Sequence, residues 1–186
     1  MLSALERFVA VLARVNAPLL VLCRVATVAL LALVAVVIAI SVIWRYGLDN
    51  ALSWSEEVAK YAMVWLAFAG APLALPAGGH VGVDILPNAL PPRARHALLG
   101  TVMLVVAALM AAFVHYGTRF AWNGRVQVMA MIGDVSMAWV FAAIPIGSAV
   151  LGLVALELAG RHWLYVLAPE RHRAPAAAGD SMASAN

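Results

Sequence analysis

Three charges open an otherwise apolar stretch: Glu56, Glu57 and Lys60 stand at the head of the run from Leu52 to Phe68. Adjacent carboxylates can serve acid–base chemistry, but only beside a nucleophile, a metal-ligand set or a phosphate-binding loop, and no such companion accompanies them. The spacing suits a helix start instead. Ser53 and Glu56 fit the S-x-x-E capping box, in which serine accepts from the third helical N–H and glutamate reaches back to the N–H of Ser53. Carboxylates in a first turn also favour the positive end of the helix dipole. Glu56 and Lys60 are four apart with the acid first, the better order for a surface pair. Glu57, one position round, is the candidate to face a partner protein at the outer surface.

The histidines and aromatics read as structural in the same way. His80, His96, His115 and His162 fall at the ends of apolar runs or in loops, and His172 lies in the tail. A bis-histidine haem needs two imidazoles facing each other inside the hydrocarbon, so these positions suit interfacial or solvated side chains. Trp54, Tyr61, Trp65 and Phe68 recur at spacings of seven, four and three, which is a helix-packing face. Cys23 is the single cysteine and makes neither a disulfide framework nor a thiolate cluster. No cofactor is expected.

The elements that must position these residues follow from composition. The chain has 186 residues, 65% hydrophobic and 11% charged, with a mean hydropathy of +0.95. A soluble domain of this length would carry many more charges on its surface, so most of the chain belongs in a lipid bilayer. The basic residues form no stripe of the kind that grips nucleic acid. Between Arg24 and Arg45 lie twenty residues without a charge, enough at about 1.5 Å per residue for the ~30 Å hydrocarbon core. Further apolar runs occupy 54–75, 97–118 and 135–156. The expected fold is therefore all-α and integral to the membrane, with four transmembrane helices.

The flanks differ in character. Leu5, Phe8, Val9, Leu12 and Val15 share one helical face, with Arg7 and Arg14 off it, so residues 1–18 suggest an amphipathic interfacial helix broken by Pro18. No small-residue cleavage site follows, so the first span reads as an uncleaved anchor. Residues 19–168 would form the membrane domain, and 169–186 a small, polar, disordered tail. The segment between spans two and three is punctuated by Gly and Pro and suits a structured loop. Pro145, followed by Gly147 and Ser148, is expected to kink span four near its middle, with Ser148 or a neighbouring helix satisfying the freed carbonyl.

Orientation follows from the basic residues. With the N-terminus inside, eight arginines fall on the cytoplasmic side, and Arg45, Lys60, Arg119 and Arg125 fall outside. The positive-inside rule thus favours a multi-pass protein of the bacterial inner membrane with both termini cytoplasmic. The spans are also empty of transport chemistry. A carrier of charged solutes needs ionisable groups or broken helices near the midplane, yet no acid, base or amide lies in the central part of any span. A self-sufficient small exporter would carry a membrane-embedded carboxylate. The chain reads as an accessory subunit.

One segment ties these features together. The stretch "RYGLDNALSWSEEVAKYAMVWLAFAGAPLALPAGGHVGVDIL" resembles the small permease subunit, of the DctQ type, of tripartite ATP-independent periplasmic (TRAP) transporters. The resemblance rests on Arg45 and Tyr46, then Trp54, Glu56 and Glu57, then Tyr61, Trp65, Gly70 and Ala71, then His80 and Asp84. The later stretch "VSMAWVFAAIPIGSAV" is similar to the family's span-four signature, with Met137, Ala138, Trp139, Pro145 and Gly147 in place. The basic residue typical before the Gly-His segment is replaced here by "LPAGGH". The resemblance implies a non-catalytic part of a secondary transporter that takes up an organic acid on an ion gradient, usually by sodium symport. It implies two protein partners in the bilayer system: a large permease subunit and a periplasmic substrate-binding protein. Partner contacts are expected at Arg45, Trp54, Glu56 and Glu57, with Tyr61, Trp65 and Pro145 as further partner-interface candidates and His80 and Asp84 bracing the inner loop. The alternative is a four-helix integral membrane enzyme or a cytochrome-like electron-transfer subunit that uses the histidines.

Overall fold

The computed structural model describes residues 2–76, 91–129, 133 and 135–168. The chain is helical throughout these segments. Helix α1 spans Leu2–Gly47, α2 Ser53–Ala74 and α3 Pro92–Asn123. A 3-10 turn at Gly124–Val126 follows, then the short α4, Ala138–Phe141, and finally α5, Ala143–Leu167. Among the described residues β pairing is confined to an isolated antiparallel bridge between Val128 and Ser136.

Three segments, Leu2–Gly47, Pro92–Val126 and Ala138–Leu167, are long and apolar enough to cross a membrane. Helix α2 has 22 residues, about 33 Å at ~1.5 Å per residue, but Glu56, Glu57 and Lys60 in its first two turns lower its hydropathy. The short connector 48–52 forces α2 to run antiparallel beside α1. In it Asp49 takes a positive φ of 50°, a left-handed conformation that aspartate tolerates better than most side chains.

Helix α5 is the hub. It packs along α3 and also touches α1 and α2, and α1 lies along α2, whereas α3 meets neither α1 nor α2 among the described residues. The core around α5 joins Leu75, Met103, Ala107, Val154, Ala155 and Ala159. Lipid tails are as apolar as leucine, so such helices associate by close van der Waals fit, which small residues permit. A Cβ placed on Gly147 would stand 2.6 Å from that of Phe68, and one on Gly160 2.5 Å from Val9 Cγ2. One on Gly100 would stand 3.0 Å from the Trp163 indole. The outward faces of α1 and α3 remain apolar and open: Val21, Leu22, Val25, Val28, Val105 and Leu109 are all more than half exposed. That is the surface of a helix meant for lipid or for another membrane protein.

Two expectations about proline are corrected. Helix α1 continues unbroken through Pro18. Proline offers no N–H to the carbonyl of Arg14, but Val9, Leu12 and Asn16 are buried just before it, so packing holds the helix together there. Of the expected apolar face, Phe8 and Val15 point outward and are about half exposed. Pro145 does not kink the middle of a span. It sits third in α5, four residues after Phe141 of α4, whose carbonyl a proline without N–H cannot serve. The chain breaks at Ala142, between α4 and α5, and the buried Ser148 hydroxyl has no hydrogen-bond partner among the described residues.

Candidate functional site: polar layers at the two helix ends

One polar layer joins the end of α1 to the start of α2. Helix α2 begins at Ser53 with Leu52 as its N-cap, and no side chain caps it. The expected capping box is therefore absent, because the helix starts one residue earlier than the box requires. Ser55 serves a different contact: its hydroxyl is 2.7 Å from the Leu52 carbonyl and 2.9 Å from the Ser41 hydroxyl of α1. Ser55 is fully buried, so these contacts lock the two helices together at this level.

The two glutamates part company. Glu56 turns outward to Arg45, with Nη1 3.9 Å from Oε1 and both side chains more than half exposed. Its ion pair is thus with α1 rather than with Lys60. Glu57 turns inward; it is 6% exposed and accepts a 2.6 Å hydrogen bond from the Tyr61 hydroxyl. An open groove beside this layer is lined by Ser41, Val42, Ser55, Glu56 and Lys60. Trp54 stands at the mouth, 40% exposed. Trp65 and Phe68, lower on α2, line an apolar pocket of about 190 Å³ with Leu22, Cys23, Ala143 and Gly147. The aromatic stripe is thus a packing face at its lower end and an interfacial one at Trp54. His80 and Asp84 lie outside the described residues.

At the same end of the bundle, α3 and α4 expose Tyr116, Phe120, Trp122 and Trp139. The Arg125 guanidinium lies over the Trp122 ring, and Phe120 packs on Phe141 with centroids 4.4 Å apart. Amphipathic rings gathered at one level are the signature of a headgroup belt.

The opposite layer was not anticipated from the sequence. Asn16 of α1 is 1% exposed, and its Nδ2 donates to Glu157 Oε2 at 2.7 Å and to the Leu153 carbonyl at 3.2 Å. Glu157, 8% exposed, also receives Arg161, whose Nη2 and Nε lie 2.7 and 2.9 Å from Oε1. Both carboxylate oxygens are therefore engaged, which is how a charge is kept in a buried place. The Glu157–Arg161 spacing of four was legible on one helix; the link to Asn16 spans 141 positions and left no local trace.

A turn further along, His96 of α3 and His162 of α5 bring their Nδ1 atoms to 2.9 Å. Tyr165 stacks on His96 with centroids 3.8 Å apart. Both histidines lie at the ends of their apolar runs, and their pairing across 66 positions was not expected from the sequence. Among the described residues no three His, Cys, Asp or Glu side chains converge on a common point.

Between the layers the spans are bare. No Asp, Glu, Lys or Arg occurs in 25–44, 61–76, 97–118 or 138–156. Thr27, Thr101 and Thr118 each donate back to the carbonyl four residues earlier, which satisfies a hydroxyl without a partner helix.

Known proteins resemble this chain in sequence. Residues 33–164 match the model of the DctQ component of tripartite ATP-independent periplasmic transporters. A putative TRAP transporter small permease protein of Haemophilus influenzae is 40% identical over 78 residues, 42% of this chain and 46% of that protein. The sialic acid TRAP transporter permease protein SiaT of Haemophilus influenzae is 32% identical over 102 residues, 55% of this chain but 16% of its own length. The small permease protein SiaQ of the Vibrio cholerae sialic acid TRAP transporter is 24% identical over 134 residues, 72% of this chain and 77% of that protein. Helices apolar enough to span the bilayer, and a family match covering most of the chain, place it in the inner membrane as a multi-pass protein that belongs to the DctQ family of TRAP transporter small permease subunits.

Proposed function

We propose that this chain is a non-catalytic scaffold for the large permease subunit of a TRAP-type transporter, and that its outer layer helps dock the periplasmic binding protein. The carrying observation is the distribution of charge: the stretches 25–44, 61–76, 97–118 and 138–156 hold no Asp, Glu, Lys or Arg. A pathway for an organic anion and its coupling cation needs ionisable groups or broken helices at depth, so that pathway belongs to another subunit. The open apolar faces of α1 and α3 supply the surface on which such a subunit can rest.

The docking role rests on Glu56, Arg45 and Trp54, which are exposed at one level beside an open groove. Both termini are cytoplasmic in this arrangement, by the arginine asymmetry. The cargo would be an organic acid moved on an ion gradient; two similar proteins carry sialic acid, itself an organic acid, in their names. Affinity purification of the tagged chain from its native membrane in mild detergent tests the scaffold. A large multi-span permease recovered in fixed ratio is the expected outcome, and a monodisperse chain recovered alone refutes it.

A further inference from the structure

We propose that His96 and His162 form a two-nitrogen site for a divalent transition-metal ion, Cu(II), Ni(II) or Zn(II), that clamps α3 to α5 where the bare spans end. Their Nδ1 atoms stand 2.9 Å apart, on helices whose two histidines are separated by 66 positions in sequence. With metal–nitrogen bonds of about 2.05 Å, that separation subtends about 90°. This is the angle between neighbouring ligands in square-planar and octahedral complexes, the geometries that Cu(II) and Ni(II) favour with imidazole. A tetrahedral ion would ask for about 3.3 Å with the same bonds, a small opening of the pair.

The rings are held in place rather than merely close. Gly100, one turn on from His96, admits the indole of Trp163, and a Cβ there would stand only 3.3 Å from His162 Cβ. The two helices therefore meet at this level. Tyr165 stacks on the His96 ring and restricts its rotation. Both histidines are half-buried, so an ion can reach them and water can complete its shell. Arg95 acts on both rings as a positive neighbour, and two nitrogens are few, so the ion is exchangeable.

Without an ion, one Nδ1–H must donate to the other Nδ1. When a metal binds, both rings present Nδ1 lone pairs and carry their protons on Nε2. The bridging proton thus changes nitrogen, nothing is oxidised, and no proton need leave the pair.

Titration of the full-length, chelator-treated protein in detergent with copper sulfate and, separately, nickel chloride tests the site. Either His96→Ala or His162→Ala should weaken the tightest equivalent at least tenfold, while His172→Ala stays within twofold of the parent. A smaller loss in either of the first two variants, or a large loss in His172→Ala, overturns the proposal. Should the variants misfold, the electron paramagnetic resonance spectrum of the Cu(II)-loaded His172→Ala chain decides. Coupling to two imidazole nitrogens supports the clamp, and coupling to one or none overturns it.

Discussion

Asn16 and Glu157 are joined by a 2.7 Å hydrogen bond that ties the N-terminal third of α1 to α5 across 141 positions of the chain. Both residues are almost fully buried, and the second proton of the Asn16 amide goes to the backbone of α5. The first quarter of the protein is thus fastened by a side chain that hydropathy alone would score as an interruption.

Asn16→Ala should therefore loosen that attachment. A hydrogen bond to a charged group is worth about 1.5–3 kcal/mol in water-soluble proteins and nearer 0.6 kcal/mol on average between membrane helices. A loss of about 1–2 kcal/mol follows, read as a lower melting temperature in detergent and as faster proteolysis within residues 2–18. Equal melting and equal protease resistance would show that the bond is dispensable.

Helix crossing at Gly147 predicts a sharp contrast with Gly70. A methyl group at Gly147 meets Phe68 at 2.6 Å, whereas at Gly70 the nearest atom, on Thr27, is 3.9 Å away. Overpacking of a fitted contact costs about 1–3 kcal/mol, so Gly147→Ala should lower the melting temperature and the yield of folded protein. Gly70→Ala should leave both unchanged or improve them slightly, since alanine is the better helix former.

The two glutamates of α2 should separate docking from stability. The exposed Glu56–Arg45 pair contributes about 0–1 kcal/mol, so Glu56→Lys should leave membrane abundance intact while lowering solute uptake in proteoliposomes containing all subunits. Glu57→Lys would bury a cation where Tyr61 donates a hydrogen bond, and should reduce abundance itself. Undiminished uptake by Glu56→Lys counts against docking at this turn.

Topology offers a direct test, because Cys23 is the only thiol to remove. In a Cys23→Ala background, Asn50→Cys should react with a membrane-impermeant maleimide added to intact spheroplasts, and Ser3→Cys only after lysis. The reverse pattern inverts the orientation.

Hydropathy and charge made the helices legible, since a run such as 25–44 has one physical solution in lipid. The family resemblance carried the assignment further, and the match over residues 33–164 bears it out. What stayed hidden was what depends on where helices cross. Pro18 reads locally as a break, because the packing of Val9, Leu12 and Asn16 that holds α1 together is with distant residues. Ser53 reads as a cap, but the N-cap falls one residue earlier, at Leu52, and no side chain caps the helix. Glu56 and Glu57 are neighbours in sequence and face opposite ways, a distinction set by the position of α1. His96 and His162 fall at the ends of separate apolar runs, and nothing in either run announces the other.

The arrangement around α5 carries a consequence for biosynthesis. Because α3 packs along neither α1 nor α2 among the described residues, it has no earlier helix there to hold when it leaves the translocon. It waits in the lipid as a lone span until the chain has been made as far as α5, whose glycines and alanines then gather all three earlier helices at once. Release of a nascent chain before Ala143 should therefore leave an α1–α2 hairpin and an unattached α3, a form that cellular quality control can recognise and remove.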